Sequence, residues 1–242
     1  MSRNIFRIFF CVCSCILFKF QAYSQDNILN DTASTVYARS LFIEANARQS
    51  RLFNGREYIP NDPSIKDHPF FLSKDWTKGS IIYDGASFSE VPMLYDLSKD
   101  EVVVLNFLLP DKLSLVKQKV QEFNLHEHRF IYLKTDSSDK VLSPGFYDLL
   151  YRDKISVLVK RKKIIKSVVN TSRKASFEEE DRFFMIHKGI SYPVKTLPSV
   201  LKVLKDKKPE IQQYLRKNGI IFRDNPEKAI IAIASQYDQL SN

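Results

Sequence analysis

Between residues 52 and 194 apolar and polar side chains alternate with a period of two in short runs, separated by Gly, Pro, Asn and Asp. Strands show this pattern when one face is buried and the other is wet, and the turn residues mark where each strand stops. Runs at 80–83, 88–97 and 102–107, divided by Asp84-Gly85 and Lys99-Asp100, predict a three-stranded meander. Further strands are expected at 113–116, 120–125, 129–133, 145–151, 154–161, 182–187 and 191–194, with turns at Arg152-Asp153 and Lys188-Gly189. Asn54-Gly55, between 51–53 and 56–59, predicts a hairpin, because both positions of a two-residue turn need positive φ. Pro60, Pro63 and Pro69 turn the next stretch into a loop, each removing a backbone donor.

The period changes at both ends. Residues 33–47 read as a short helix, with Asp31 at the N-cap and Tyr37, Leu41 and Ala45 four apart. Past residue 196, Thr196 or Ser199 opens a helix through Leu204, and Pro209 starts a second that stops at Asn218-Gly219. Asp224-Asn225-Pro226-Glu227 has the form of a capping box for a third, in which Ala229, Ile230, Ile233, Ala234 and Tyr237 share one apolar face. That face must pack against something, and the adjacent sheet is the nearest partner. The prediction is one α+β domain over 25–242. It is mainly an antiparallel β meander or partly closed barrel over 52–194, with a short N-terminal helix and two or three C-terminal helices over 196–240.

The first 24 residues bear on where this domain works. Arg3 and Arg7 precede an apolar run from Ile8 to Phe18, and Ala22-Tyr23-Ser24 is a small-x-small cleavage site. These are the three parts of an export signal. The run is too short to span a bilayer, which takes roughly 20 residues, so no transmembrane segment is expected once the leader is removed. Cys11, Cys13 and Cys15, the only cysteines, lie inside the run, where small apolar side chains suit a signal better than a lipid anchor or a metal. A product starting near Gln25 carries no thiol and depends on its hydrophobic core, for which 218 residues suffice. The expected location is the periplasm, the envelope or the medium.

Charge adds a direction. The formal net charge of +9 falls to +6 without the leader, and the remainder is split between −4 over 25–110 and +10 over 111–242. Such a field could favour an anionic partner, such as envelope phosphates or acidic glycans, but the more ordinary use of the lysines is to solvate a helical tail. Nucleic acid is not expected, since export removes the usual target and no recognition motif accompanies the charge.

Many catalytic signatures are absent: no phosphate-binding glycine loop, no Gly-x-Gly-x-x-Gly, and Gly85-Ala86-Ser87-Phe88-Ser89 lacks the second glycine of a nucleophile elbow. His126 and His128 are the best metal candidates, because alternate residues on a strand point to one face; structural or solvated histidines are the ordinary alternative. Phe70, Phe71 and Trp76 could line a groove for a sugar or peptide, or simply fill the core of a sheet protein. Lys160, Arg161, Lys162 and Lys163 are the densest basic cluster and read as a projecting tip or strand extension. The acids Glu178, Glu179, Glu180 and Asp181 would neutralise it if they lie on a return strand. No cofactor is implied.

Asn54-Gly55-Arg56-Glu57-Tyr58, His68-Pro69-Phe70-Phe71, Tyr95-Asp96 and Ser143-Pro144-Gly145-Phe146-Tyr147, with the basic helical ending over 199–237, resemble a family of exported bacterial proteins of unknown function. The resemblance implies export and a shared fold, and brings no substrate, cofactor or active residue. The expectation is an envelope or periplasmic binding or scaffold protein that is not an enzyme, with an unidentified envelope component as partner, for which the basic second half allows an anionic one. A hydrolase of envelope polymers, working through carboxylates or a histidine-held metal, is the alternative.

Overall fold

The connection between the fifth and sixth strands determines the shape of the sheet. In the computed structural model, which describes residues 51–106, 111–134, 139–166 and 175–241 together with Ser34, Thr35 and Tyr37, eleven strands form one antiparallel sheet. They are β1 (Arg56–Glu57), β2 (Thr77–Tyr83), β3 (Ala86–Asp96), β4 (Glu101–Leu105), β5 (Lys112–Ser114), β6 (Val120–Leu125), β7 (His128–Leu133), β8 (Gly145–Arg152), β9 (Ile155–Lys160), β12 (Arg182–His187) and β13 (Ile190–Val194). Their order is β1-β5-β4-β3-β2-β6-β7-β8-β9-β12-β13, while β10 (Lys163–Lys166) and β11 (Ser176–Glu179) form a separate hairpin. Three strands therefore lie between β5 and β6, which only Leu115–Lys119 connect, three of these five residues as a 3-10 turn. A flat sheet would separate the two strands by roughly 19 Å, and the connection reaches roughly 16 Å.

The sheet must curl, and its aromatic contacts report that it does. The Tyr95 ring on β3 lies 5.8 Å from Phe146 on β8, although β2, β6 and β7 intervene in the ladder. Tyr95, Phe123, Phe130 and Phe146 are all buried, with Phe123 and Phe130 stacked 4.7 Å apart. Each fully buried ring of this kind contributes about 1.5–3 kcal/mol relative to exposure. The roll stays open, as no ladder joins β1 to β13.

A second layer covers the other half. Helices α1 (Leu197–Val203), α2 (Lys208–Lys217) and α3 (Pro226–Leu240) bury Val200, Leu204, Ile211, Ile230 and Ile233 against Ile155 and Val157 of β9 and Met185 of β12. The face of α3 read from the sequence, Ala229, Ile230, Ile233, Ala234 and Tyr237, is the buried one. Thr196 and Ser199 cap α1 reciprocally, and a proline opens each of the three helices. At α3 the N-cap is Asn225, whose side chain accepts from the Lys228 N–H at 2.9 Å, so the expected box starting at Asp224 does not form and Glu227 is left for another partner.

The Asn54-Gly55 hairpin is a correction. Residues Arg51–Phe53 form a 3-10 turn, and β1 pairs with β5 rather than with the preceding segment. Neither Asn54 nor Gly55 has positive φ; Gly55 is needed for room, since a Cβ there would sit 2.5 Å from the Ser114 carbonyl oxygen. The tight turns are elsewhere, at Asp84-Gly85, His126-Glu127 and Lys188-Gly189, each with two positive φ angles.

The chain divides into two compact units, Met1–Ile43 and Glu44–Asn242, and the sheet and helices belong to the second. In the first, Ser34, Thr35 and Tyr37 are helical and exposed. The rest of the helix expected over 33–47, and the leader over 1–24, lie outside the described residues. No described helix is long and apolar enough to cross a membrane.

Candidate functional site

On β8, Phe146 faces the aromatic core and Leu150 packs on the helical one, and Asp148 lies between them, 1 % exposed. A carboxylate that deep needs donors. Arg161, just past β9, supplies two, from Nε at 3.0 Å and Nη2 at 2.7 Å, and His128, the first residue of β7, approaches the same Oδ2 through Nδ1 at 2.8 Å. Arg161 also bonds Asp181 at 2.7 Å and Glu227 at 2.8 Å, so one guanidinium ties β8, the start of β12 and the first turn of α3 together. Asp148 Oδ1 has no partner among the described residues.

The charges set one another's state. Hydrogen bonding to Asp148 raises the His128 imidazole above the ordinary histidine value, against burial and the nearby Arg161. Burial would lower the Arg161 guanidinium, but Asp181 and Asp148 more than offset it and hold it firmly charged. A cavity of about 200 Å³ opens beside this network, lined by the apolar Phe71, Leu72 and Leu97 and by the charged or polar His128, Arg161, Glu179, Asp181 and Glu227. It holds a histidine beside a buried carboxylate, which is a general-base geometry, but among the described residues no hydroxyl or thiol side chain lines it.

The basic cluster does not project. Lys160 bonds Asp100 Oδ2 and the Phe146 carbonyl, both at 3.0 Å, and burial lowers its ammonium although Asp100 opposes the shift. Lys163 donates to the carbonyls of His68 at 3.1 Å and Phe70 at 2.9 Å. With Arg161 occupied, only Lys162 of the four is exposed. The return strand is present: Lys163 pairs with Glu179 and Lys166 with Ser176 across the β10–β11 hairpin. The basic-tip reading of Lys160 to Lys163 is corrected accordingly, because carboxylates, of which Asp148 is buried, and backbone carbonyls draw three of the four cations inward.

The aromatic and histidine candidates are also placed. Phe71 lies in the aromatic core, 5.1 Å from Phe130, whereas Phe70 and Trp76 cover Leu94 and Val103 on the opposite face of β3 and β4. His126 is not on a strand, as it occupies the β6–β7 turn with φ 50° and lies 3.4 Å from the Thr77 hydroxyl, while His128 bonds Asp148. Both rings flank Phe71, but each has its own partner. Among the described residues no group of three or more His, Cys, Asp or Glu side chains is arranged to hold a metal ion.

A second cleft, of about 640 Å³, lies where the β12–β13 turn meets the helices. The Tyr237 hydroxyl donates to Asp206 Oδ2 at 3.0 Å and lies 3.2 Å from His187 Nε2, and Lys154, Lys188 and Lys207 surround them. Burial raises the Tyr237 phenol, and the bond to Asp206 adds to the rise. Sequence reading treats Tyr237 only as a core residue; a buried tyrosine whose hydroxyl needs a partner is the signal that could have found this cleft. Comparison of the chain with protein-family models, curated proteins and solved structures finds no match in any of the three.

Proposed function

We propose that the protein is a non-enzymatic binding or scaffold protein of the cell envelope or periplasm, and that its partner is anionic. The observation that carries this reading is the distribution of committed charge. Arg161, Lys160 and Lys163 spend their donors inside the fold, while Lys188 and Lys207 form no ion pair among the described residues and line a broad cleft. Placement outside the cytoplasm rests on the leader pattern over residues 1–24. The test is turnover and retention measured side by side on envelope fractions, peptides and glycans: retention without turnover is expected, and turnover lost on one histidine or carboxylate substitution would overturn the proposal.

One observation favours a second reading, a hydrolase of envelope polymers. His128 beside buried Asp148, at the wall of a cavity of about 200 Å³, has the form of a base held by a carboxylate. Turnover abolished by His128→Gln in a protein that still folds would establish it.

A further inference from the structure

We infer that the cleft at the β12–β13 turn binds the phosphate ester of a hydroxyl-bearing body, a ligand of the sugar-phosphate or glycerophosphate kind. This deepens the binding-protein reading and rests on it. Lys188 stands at the tip of a two-residue turn, with φ 53° followed by Gly189 at 75°, and its exposed side chain lines the cleft. Lys207 lines the same cleft with its stem partly buried, and neither it nor Lys188 forms an ion pair among the described residues, so both ammonium groups are open to an anion that enters. Lys154 is already committed to the Ser241 carbonyl at 2.8 Å and is not counted.

The cleft also shows what carries the phosphate. Its volume, about 640 Å³, exceeds what a free oxyanion fills and falls in the range of small-molecule sites. Leu240 and the Tyr237 ring provide an apolar flank, and the Tyr237 hydroxyl sits between His187 and Asp206. Asp206 is exposed and repels a bare phosphate, yet it is a ready acceptor for a hydroxyl. A polyol phosphate satisfies both ends, with the phosphate on Lys188 and Lys207 and a hydroxyl on Asp206.

The experiment is a titration of the purified protein with glycerol 1-phosphate, inorganic phosphate and glycerol, beside sedimentation with vesicles of phosphatidylcholine and phosphatidylglycerol at 3:1. Glycerol 1-phosphate is expected to bind more tightly than inorganic phosphate, and glycerol not to bind. Lys188→Gln with Lys207→Gln should weaken binding by at least about tenfold, the loss expected for hydrogen bonds to a charged group. Asp206→Asn should narrow the gap between glycerol 1-phosphate and inorganic phosphate. Both lysines lie outside the core, so circular dichroism of the double variant should be unchanged; independently of any variant, the His187 ring resonances should shift on adding glycerol 1-phosphate. Vesicle binding lost in the double variant, without binding of the soluble ester, supports the same site with a lipid headgroup as the source. Binding that ignores both lysines overturns the site but leaves the binding-protein reading intact. Absence of binding to esters, vesicles and envelope fractions alike overturns both.

Discussion

Replacing Arg161 by Met removes the cation that holds the seam of the fold. Its side chain is only 10 % exposed, and its loss leaves Asp148, 1 % exposed, with the His128 imidazole as its one remaining side-chain donor among the described residues. Breaking a buried pair by removing one partner costs about 3–5 kcal/mol, a large part of the roughly 5–15 kcal/mol that holds a domain together. Asp181 and Glu227 are partly exposed and can turn to water, so they add no more than about 1 kcal/mol each. Urea unfolding at neutral pH, read by linear extrapolation, measures the loss. The double variant Arg161→Met with Asp148→Leu removes both charges and should be more stable than Arg161→Met alone. A single-variant cost under about 1 kcal/mol, the value of an exposed pair, would refute the reasoning, as would a double variant less stable than the single one.

Other expectations follow from the same geometry. Gly55→Ala should destabilise by about 1–3 kcal/mol through the clash with the Ser114 carbonyl, while Asn54→Ala should be within about 0.5 kcal/mol of neutral, since no positive φ is required there; denaturant midpoints decide. The folded protein holds the His128 proton more tightly than the unfolded chain, chiefly through the bond to Asp148. The resulting stabilisation is complete below the ordinary histidine value of about 6.5 and is lost as pH rises through the higher folded value. Unfolding midpoints of the parent and His128→Gln should therefore differ more at acidic than at alkaline pH. Lys163→Met frees the carbonyls of His68 and Phe70, and limited proteolysis should then cut faster between residues 60 and 76.

The strands were readable because their alternation and turn chemistry agree. Residues 120–125 and 182–187 match β6 and β12 to the residue, and Asp84-Gly85 and Lys188-Gly189 are the turns expected. Asn54-Gly55 misled because glycine has two uses, positive φ and close approach, and local sequence does not say which one the distant β5 backbone requires. His126-Glu127 shows the converse, as two residues without glycine took a positive-φ turn enforced by the flanking ladder. The candidate site was only partly legible. Phe71, His128 and Arg161 do meet, but at a cavity whose other charges come from Glu179, Asp181 and Glu227, and over a buried Asp148, all far apart along the chain. The direction of a lysine or arginine depends on which carboxylates the fold buries nearby, so a basic run that reads as a tip is drawn inward.

Crosslinking of the protein in intact envelopes, followed by mass spectrometry, tests the central proposal most directly, because it reports a partner without presuming a chemistry. The expected result is one anionic envelope component joined near Lys188 and Lys207. Crosslinks to cytosolic proteins alone, or a covalent intermediate at His128, Asp181 or Glu227, would contradict it.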